Sequence, residues 1–389
     1  MCQHDAVPDL TIRAGRIVCR ASGIDGPGTV EIHDGCIVSV ETSRDPWSGS
    51  SPPNERRCLD FPHSTVLPGL VDLHAHPARS GSKFGVAPDS FMLSRGVTTV
   101  QSQGDAGACG IDDYAAHTIE PSATRVLLAI NLARVGESTQ AGCFENLADA
   151  DVEQCVSAVE QHPGLVRAVS VNASHQTCGQ TDPREILRRG IQVAERCRLP
   201  ILYGMRRPED WPVDEQMQML RPGDVVTYCL RCVPYGIVDD GRVLSCVKAA
   251  RERGVLFDVG HGMASFSFEV AMAAIEDKFE PDTISTDLYR RHIGSDPQHD
   301  LPLVMSKLQA AGMSESAVFA AATCRPAEIL GLDPLPGTLK PGSCADLVVL
   351  DVTPDCVLSD VHGREAAGRR WLPRLTVRAG RIVESDPEP

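Results

Sequence analysis

Between about Thr65 and Leu332 the chain alternates short apolar segments of strand length with longer segments that have apolar residues at helical spacing. Eight such repeats favour a parallel (β/α)8 barrel, an α/β fold of the TIM type, over an open sheet. The predicted strands begin near Thr65, Thr98, Arg125, Arg167, Ile201, Asp224, Val255 and Thr283. The predicted helices include Val152–Gln161, Pro183–Arg198, Val243–Arg253 and Phe268–Ile275. We therefore expect a barrel over residues 65–332.

The two ends of the chain carry nearly the same sequence. Residues 11–18 read Thr-Ile-Arg-Ala-Gly-Arg-Ile-Val, and residues 376–383 differ from them only at the second position. Each copy reads as a strand with a tight turn at Ala-Gly. We predict that residues 1–64 and 333–389 together form one small β unit beside the barrel. The length of 389 residues suits a barrel of about 250 residues plus such a unit.

Charge and composition limit the partners of the chain. The formal net charge of -15 opposes binding to nucleic acid or to an anionic membrane surface, because both attract basic patches. A small-molecule substrate is the expected partner, and a homo-oligomer is compatible with the sequence. No signal peptide or membrane-spanning run is evident, so we expect a cytoplasmic protein. Most of the 15 scattered cysteines read as reduced core residues, and the pair Cys229 and Cys232 reads as one buried and one loop cysteine rather than as metal ligands.

His74 and His76 end the apolar run that forms the first predicted strand. Because side chains alternate along a strand, both imidazoles lie on one face, about 7 Å apart along the backbone. The eighth predicted strand ends in Asp287, and active sites of such barrels lie at the carboxyl ends of the strands. Two imidazoles and one carboxylate leave a fourth position open, which is the arrangement of a catalytic zinc. We predict one divalent ion, zinc, held by His74, His76 and Asp287.

Three segments make the chain resemble the amidohydrolase superfamily. They are residues 66–76, which end in His-Ala-His, residues 326–332, which read Pro-Ala-Glu-Ile-Leu-Gly-Leu, and residues 337–351, which run from Gly-Thr-Leu-Lys-Pro-Gly to Leu-Val-Val-Leu-Asp. Shorter runs at 96–100, 119–122, 257–262 and 284–288 are similar to the dihydroorotase-like and D-aminoacylase-like deacetylase branch. The resemblance implies a metal-bearing barrel with a small β-sandwich formed from both termini.

The chain departs from that branch at the second metal. The resemblance implies a bridging carboxylated Lys on the fourth strand and one His each on the fifth and sixth strands. This sequence has Ser170, Gly204 and Tyr228 at those positions. Since the first site keeps all three of its ligands and the second keeps none, we predict a mononuclear centre.

The remaining predictions concern catalysis and substrate binding. Asp287 is the expected general base as well as a ligand, and Tyr228 is the expected acid or oxyanion donor. The residues assigned to substrate binding are Ser170, Asn172, Gly204, His261 and His175. The first hypothesis is hydrolysis of an amide, ester or cyclic amide bond. A lyase, cyclase or isomerase that acts on a carbonyl compound, and an inert ligand-binding barrel, stay open as alternatives.

Overall fold

A computed structural model describes residues 9–47, 57–332 and 336–383. Its strands are β1 (Leu10–Cys19), β2 (Ile24–His33), β3 (Cys36–Thr42), β4 (Arg57–Pro68), β5 (Leu70–Ala75), β6 (Val97–Gly107), β7 (Arg125–Asn131), β8 (Val166–Asn172), β9 (Ile201–Gly204), β10 (Val225–Thr227), β11 (Val238–Asp239), β12 (Arg242–Val243), β13 (Leu256–Phe257), β14 (Leu347–Ser359), β15 (Glu365–Arg378) and β16 (Arg381–Val383).

The α-helices are α1 (Pro88–Phe91), α2 (Ile111–Tyr114), α3 (Val152–Gln161), α4 (His175–Cys178), α5 (Pro183–Cys197), α6 (Val213–Met219), α7 (Ser245–Glu252), α8 (Phe268–Glu276), α9 (Leu301–Ala310), α10 (Glu315–Ala321) and α11 (Cys324–Ile329). Short 3-10 or π turns occupy Arg20–Ser22, Leu93–Arg95, Ala115–Ile119, Leu147–Asp149 and Arg290–His292.

Strands β5 to β10 and β13 form a parallel sheet in which sequence neighbours pair. Helix α5 shows how the intervening helices form. The side chain of Asp182 accepts a hydrogen bond from the backbone N–H of Arg184, Pro183 occupies the first turn, and one face of the helix is buried. The four helices predicted from spacing are α3, α5, α7 and α8, each within two residues of its predicted bounds. The predicted α/β barrel fold is confirmed.

The segment 283–288 closes the barrel as its eighth member, although only Thr283 forms a regular bridge, to Asp258. On the other side, the backbone N–H of Asp287 donates to the carbonyl of His74 at 2.7 Å, and that of His76 donates to Leu288 at 2.9 Å. Asp72 reinforces the closure, because its carboxylate accepts bonds from the N–H and the hydroxyl of Thr286. The first and last strands are therefore joined at the level of the two histidines.

The barrel interior below the histidines is apolar. One cluster combines side chains from β5, β7, β8, β9 and β10, which are not all neighbours in the sheet and can meet only inside the barrel. Ala327 and Leu330, from the last helix and its end, join the same cluster. This layer supports the site from beneath.

The chain ends form a separate seven-stranded sheet in the order β16-β15-β14-β4-β1-β2-β3, which encloses its own apolar core. The prediction that the first barrel strand begins at Thr65 is wrong: Thr65 to Pro68 belong to β4, which pairs with β1 and β14. After Gly69 the chain continues as the barrel strand β5, so a single apolar segment contributes strands to both sheets. No polar residue separates the two strands, and the sequence therefore contains no sign of the boundary.

The repeated sequence adopts two different structures. In the second copy, Ala379 and Gly380 make the predicted turn between β15 and β16. In the first copy the predicted turn is wrong, because β1 continues through Ala14 and Gly15 as a bulge. A Cβ atom at Gly15 would lie 2.1 Å from the carbonyl oxygen of Pro62. The close approach of β4 therefore explains the glycine in this copy.

Candidate metal centre and active site

His74, His76 and Asp287 meet at the carboxyl end of the barrel, and all three are buried. The Oδ1 atom of Asp287 lies 3.3 Å from Nε2 of His74 and 3.4 Å from Nε2 of His76. The nearest ligand atoms of the three side chains are all within 4.8 Å of one another. The structure brings the three predicted ligands into one cluster.

Hydrogen bonds fix the orientation of both imidazoles. Nδ1 of His76 lies 3.0 Å from Asp105, and a carboxylate only accepts, so this nitrogen carries the proton. Nδ1 of His74 lies 2.7 Å from the hydroxyl of Thr227, which donates its own hydrogen to Asp258 at 2.8 Å. Thr227 must therefore accept from His74. With Nδ1 protonated on each ring, Nε2 is the nitrogen left to bind a metal, and both Nε2 atoms face Asp287.

Three carboxylates surround the two imidazoles and favour a bound cation. Asp105, Asp258 and Asp287 are all buried within reach of the two rings. Burial lowers the pKa of His76, but the carboxylates of Asp105 and Asp287 outweigh this effect and raise it to about 10. Burial raises the pKa of Asp287, yet the two imidazoles bring it well below its ordinary value. The donor set, its tautomers and its charge fit a divalent ion such as zinc.

The positions at which the resemblance implies second-metal ligands have close protein neighbours. Gln103 donates to the hydroxyl of Ser170 at 3.3 Å. A Cβ atom at Gly204 would lie 3.0 Å from Oδ1 of Asn172 and 3.1 Å from Cε2 of Tyr228. Both neighbours would have to move before a larger side chain could fit at residue 204. Asn172, Gly204 and Tyr228 are thus close neighbours, while Ser170 bonds to Gln103.

Tyr228 connects the metal ligands with a charged side chain that the sequence reasoning missed. Its hydroxyl lies 3.2 Å from Nε2 of His74, and its backbone has a φ of 64°, which is uncommon for a large residue. Burial raises the pKa of this phenol, so the hydroxyl keeps its hydrogen. The guanidinium of Arg231 lies over the Tyr228 ring, 4.5 Å from its centroid. Arg231 follows the sixth barrel strand in the motif Cys-Leu-Arg-Cys, in which the sequence reasoning considered only the two cysteines.

A cavity of about 560 Å³ opens beside Arg231 at the mouth of the barrel. Arg207, His175 and Tyr235 also line it. Arg231 donates to the Ser265 hydroxyl at 3.2 Å and to the Met205 carbonyl at 3.1 Å, and forms no ion pair with any described carboxylate. Burial lowers the pKa of Arg231, which remains a cation at neutral pH. The cavity is therefore bordered by the buried cation that packs on Tyr228, and also by the carboxylate of Glu209.

The two other predicted histidines lie apart from the ligand cluster. His175 is partly exposed and pairs with Asp210 at 2.9 Å. His261 is buried and lies 3.0 Å from the Lys307 ammonium. Within the described part of the chain the cysteines form no disulfide, and Cys229 is buried.

The sequence reasoning also missed the residues that orient the ligands. Asp105, Thr227 and Asp258 are fully buried polar groups at strand ends. A carboxylate within the apolar run at residues 255–259 is a signal that could have identified Asp258, whereas Asp105 follows the polar residues Gln101 to Gln103 and carries no such signal. In the described residues, no helix combines the length and the apolar character needed to cross a membrane.

Comparison with known proteins gives a consistent picture. The amidohydrolase family profile matches residues 271–381. The chain is 31% identical to a deacetylase of Agrobacterium fabrum over 349 residues, which are 88% of this chain and 83% of that protein. It is also 31% identical to a deacetylase of Brucella anthropi over 327 residues, or 82% of this chain and 80% of the relative.

Solved structures agree over almost the whole length. A crystal structure of an adenine deaminase superimposes with a TM-score of 0.84 at 26% identity, and covers 97% of this chain and 99% of the other. A dihydroorotase superimposes with a TM-score of 0.83 at 28% identity, and covers 96% of this chain and 98% of the other.

Proposed function

We propose that this chain, which belongs to the amidohydrolase family and is a metal-dependent hydrolase of amide bonds, works with a single zinc ion on a small molecule that carries an anionic group. The bond cleaved is an amide, a cyclic amide or an ester. The observation that carries this proposal is the position of the Nε2 atoms of His74 and His76, which both face Asp287 while Nδ1 of each ring is held by a hydrogen bond.

Three side chains would perform the chemistry. A zinc ion held by His74, His76 and Asp287 would polarise the scissile carbonyl and lower the pKa of a water molecule. Asp287 turns Oδ1 toward both imidazoles, and its carboxylate would accept the proton of the attacking water and return it to the leaving nitrogen or oxygen as the bond breaks. The protonated Tyr228 hydroxyl, beside Nε2 of His74, would donate a hydrogen bond to the oxygen on which negative charge develops.

The single-ion proposal is supported by the side chains at the vacated positions. Ser170 and Gly204 supply no strong metal ligand, and Asn172 and Tyr228 occupy the space at Gly204. Metal analysis of the purified protein should therefore give one equivalent of zinc, lost in His74→Ala. Two equivalents would contradict the mononuclear centre, and a metal-free active protein would contradict the whole mechanism.

Isotope labelling separates hydrolysis from the other reactions of carbonyl compounds. N-acetyl and O-acetyl derivatives of small carboxylic acids are suitable trial substrates, because the two relatives described above are deacetylases. During turnover in H₂¹⁸O, hydrolysis places the label in the released acid. Turnover without label would indicate a lyase, cyclase or isomerase. A zinc-loaded protein without turnover on any such compound would favour a binding protein.

The anionic group of the substrate is inferred from Arg231. This buried cation lacks a carboxylate partner among the described residues and borders the cavity next to Tyr228. We expect Arg231→Gln to raise KM at least tenfold for an N-acetyl amino acid, as loss of a hydrogen bond between charged groups does. For the corresponding neutral amide the two proteins should have similar KM values. Equal losses for acid and amide would contradict recognition of the anion.

A further inference from the structure

A second cavity, of about 540 Å³, lies between the ends of the seventh and eighth barrel strands and strand β14 of the terminal sheet. It is lined on one side by Lys307, His261, His292 and His299. None of the three metal ligands lines it. Gly262, on its wall, separates it from the carboxylate of Asp287.

Lys307 brings a buried cation to this cavity; no described carboxylate lies within ion-pair distance of it, although the more distant Asp360 raises its pKa. Its side chain, on α9, is 6% exposed, and its one hydrogen bond in the described residues goes to Nε2 of His261 at 3.0 Å. Burial lowers the pKa of Lys307 to about 8, so the ammonium is still the major form at neutral pH. Since the ammonium has three hydrogens, two of them have no acceptor among the described residues. An anion in direct contact with the ammonium would supply those acceptors, which Asp360 is too far away to do.

The imidazoles around Lys307 are neutral and cannot balance its charge. His261 donates through Nδ1 to the carbonyl of Gly262 at 2.7 Å, which leaves Nε2 to accept from the ammonium. His299 donates through Nε2 to the carbonyl of Thr286 at 2.9 Å. Burial lowers the pKa of His261 and His292 and brings that of His299 to about 3. These rings therefore shape the cavity and add no charge to it.

Further donors border the same space. Nε2 of His292 and Nε of Arg370 are buried and have no hydrogen-bond partner among the described atoms. The Asp360 carboxylate on the cavity wall is engaged by the backbone N–H groups of Phe268, His362 and Arg364. Most of the hydrogen-bonding groups at this cavity that have no partner among the described residues are therefore donors.

We propose that this cavity binds a small organic carboxylate with an apolar tail, at a site separate from the centre of hydrolysis. One buried ammonium suits a monoanion, and the nearby carboxylates of Asp296 and Asp360 disfavour a phosphate dianion. The opposite wall is apolar and accommodates an aliphatic chain. Its residues are Met263, Pro297, Leu303, Val357, Leu358 and Val361. The volume lies in the range of known small-molecule sites.

Binding of hexanoate to the zinc-loaded protein tests this assignment, with hexanamide as the neutral probe of the same shape. We expect saturable binding of hexanoate in the millimolar range or tighter, and at least tenfold weaker binding of hexanamide. Lys307→Met, which preserves the length of the side chain, should weaken hexanoate at least tenfold. Lys340→Met removes an exposed lysine outside the cavity and should leave binding unchanged.

Thermal unfolding establishes that Lys307→Met is folded, and Arg370→Gln, at the partly exposed rim, gives a second and milder variant with a smaller loss of affinity. Equal affinity of wild type and Lys307→Met for hexanoate would overturn the proposal, because binding would then occur at the zinc or elsewhere. Inorganic phosphate binding as well as hexanoate, or no saturable binding of hexanoate, would overturn it too.

Discussion

Hydrogen bonds from neighbouring polar residues orient the two histidine ligands. Asp105, which orients His76, is itself fixed by two serine hydroxyls. Its carboxylate accepts from His76, from the Ser82 hydroxyl at 2.5 Å and from the Ser102 hydroxyl at 2.6 Å. The full negative charge of Asp105 makes the imidazole a better metal ligand. The geometry of His76 is therefore set by groups that never contact the metal.

Replacing Asp105 by asparagine should weaken zinc binding while the protein stays folded. We expect Asp105→Asn to lower zinc affinity by about 10- to 100-fold, the usual cost of losing such a supporting carboxylate. Competition with a chelator of known affinity measures the change. Asp113→Asn removes an exposed carboxylate nearby and should have no effect. Equal zinc affinity in Asp105→Asn and wild type would refute the orienting role of Asp105.

The hydroxyl of Tyr228 should matter for turnover and not for metal content. We expect Tyr228→Phe to lower kcat by about 10²-fold, in the range found for removal of one oxyanion donor. Zinc content, determined on the same sample, should stay at the wild-type level. Tyr203→Phe is the matched control, because it removes a buried hydroxyl that bonds to Gln216 instead. An unchanged rate in Tyr228→Phe would remove this residue from the mechanism.

The positions of the three candidate ligands could be predicted from sequence because they follow from regular features of strands and barrels. His74 and His76 could be placed on one face because strand alternation is regular, and Asp287 because parallel strands share one end. Arg231 could not be assigned in the same way. Its position over Tyr228 depends on the loop after β10, whose path follows from contacts with Met205 and Ser265 rather than from local sequence.

At the level of elements, the repeated Ala-Gly sequence shows that identical local sequence does not determine local structure. The second copy turns, and the first continues as a bulged strand because β4 runs alongside it. The helices were predicted closely, since caps such as Asp182 and Asp151 are encoded next to the helices they start. The boundary between β4 and β5 was missed because pairing partners, which lie far away in sequence, decide it.

The bulge makes Gly15 sensitive to substitution. We expect Gly15→Ala to destabilise the protein by about 2 kcal/mol or more, because its Cβ would overlap the Pro62 carbonyl. Gly26→Ala, on the neighbouring strand β2, has nothing within 4 Å of the added Cβ and should change stability by at most a few tenths of a kcal/mol. Denaturant unfolding of the two variants gives the comparison. Similar losses in both would contradict the steric explanation.

At the level of the whole molecule, metal binding and folding are coupled. The buried carboxylates around His74 and His76 favour a bound cation, and a ligand that binds only the folded state stabilises it by mass action. Removal of the metal with a chelator should therefore lower Tm by several degrees, and added zinc should restore it. Differential scanning calorimetry measures the shift. The His76→Ala variant should show little response, and an equal response in that variant would place the stabilising ion elsewhere.

The overall architecture was the part best predicted from sequence. Eight repeats of strand and helix are compatible with few folds other than a (β/α)8 barrel. The similar sequences at the two chain ends indicated that both ends belong to one β unit. The structure agrees on both counts, with β1 to β4 and β14 to β16 in one sheet.

The barrel closure has a consequence for the way this enzyme is made. Asp287 lies about 210 residues after His76 in the chain, and its backbone N–H bonds to His74 in the same place where its side chain meets the imidazoles. A nascent chain that still lacks the eighth segment has only two of the three ligands. A metal ion held by all three residues therefore stabilises only the closed barrel, and not a chain whose eighth segment has yet to pair with the first strand.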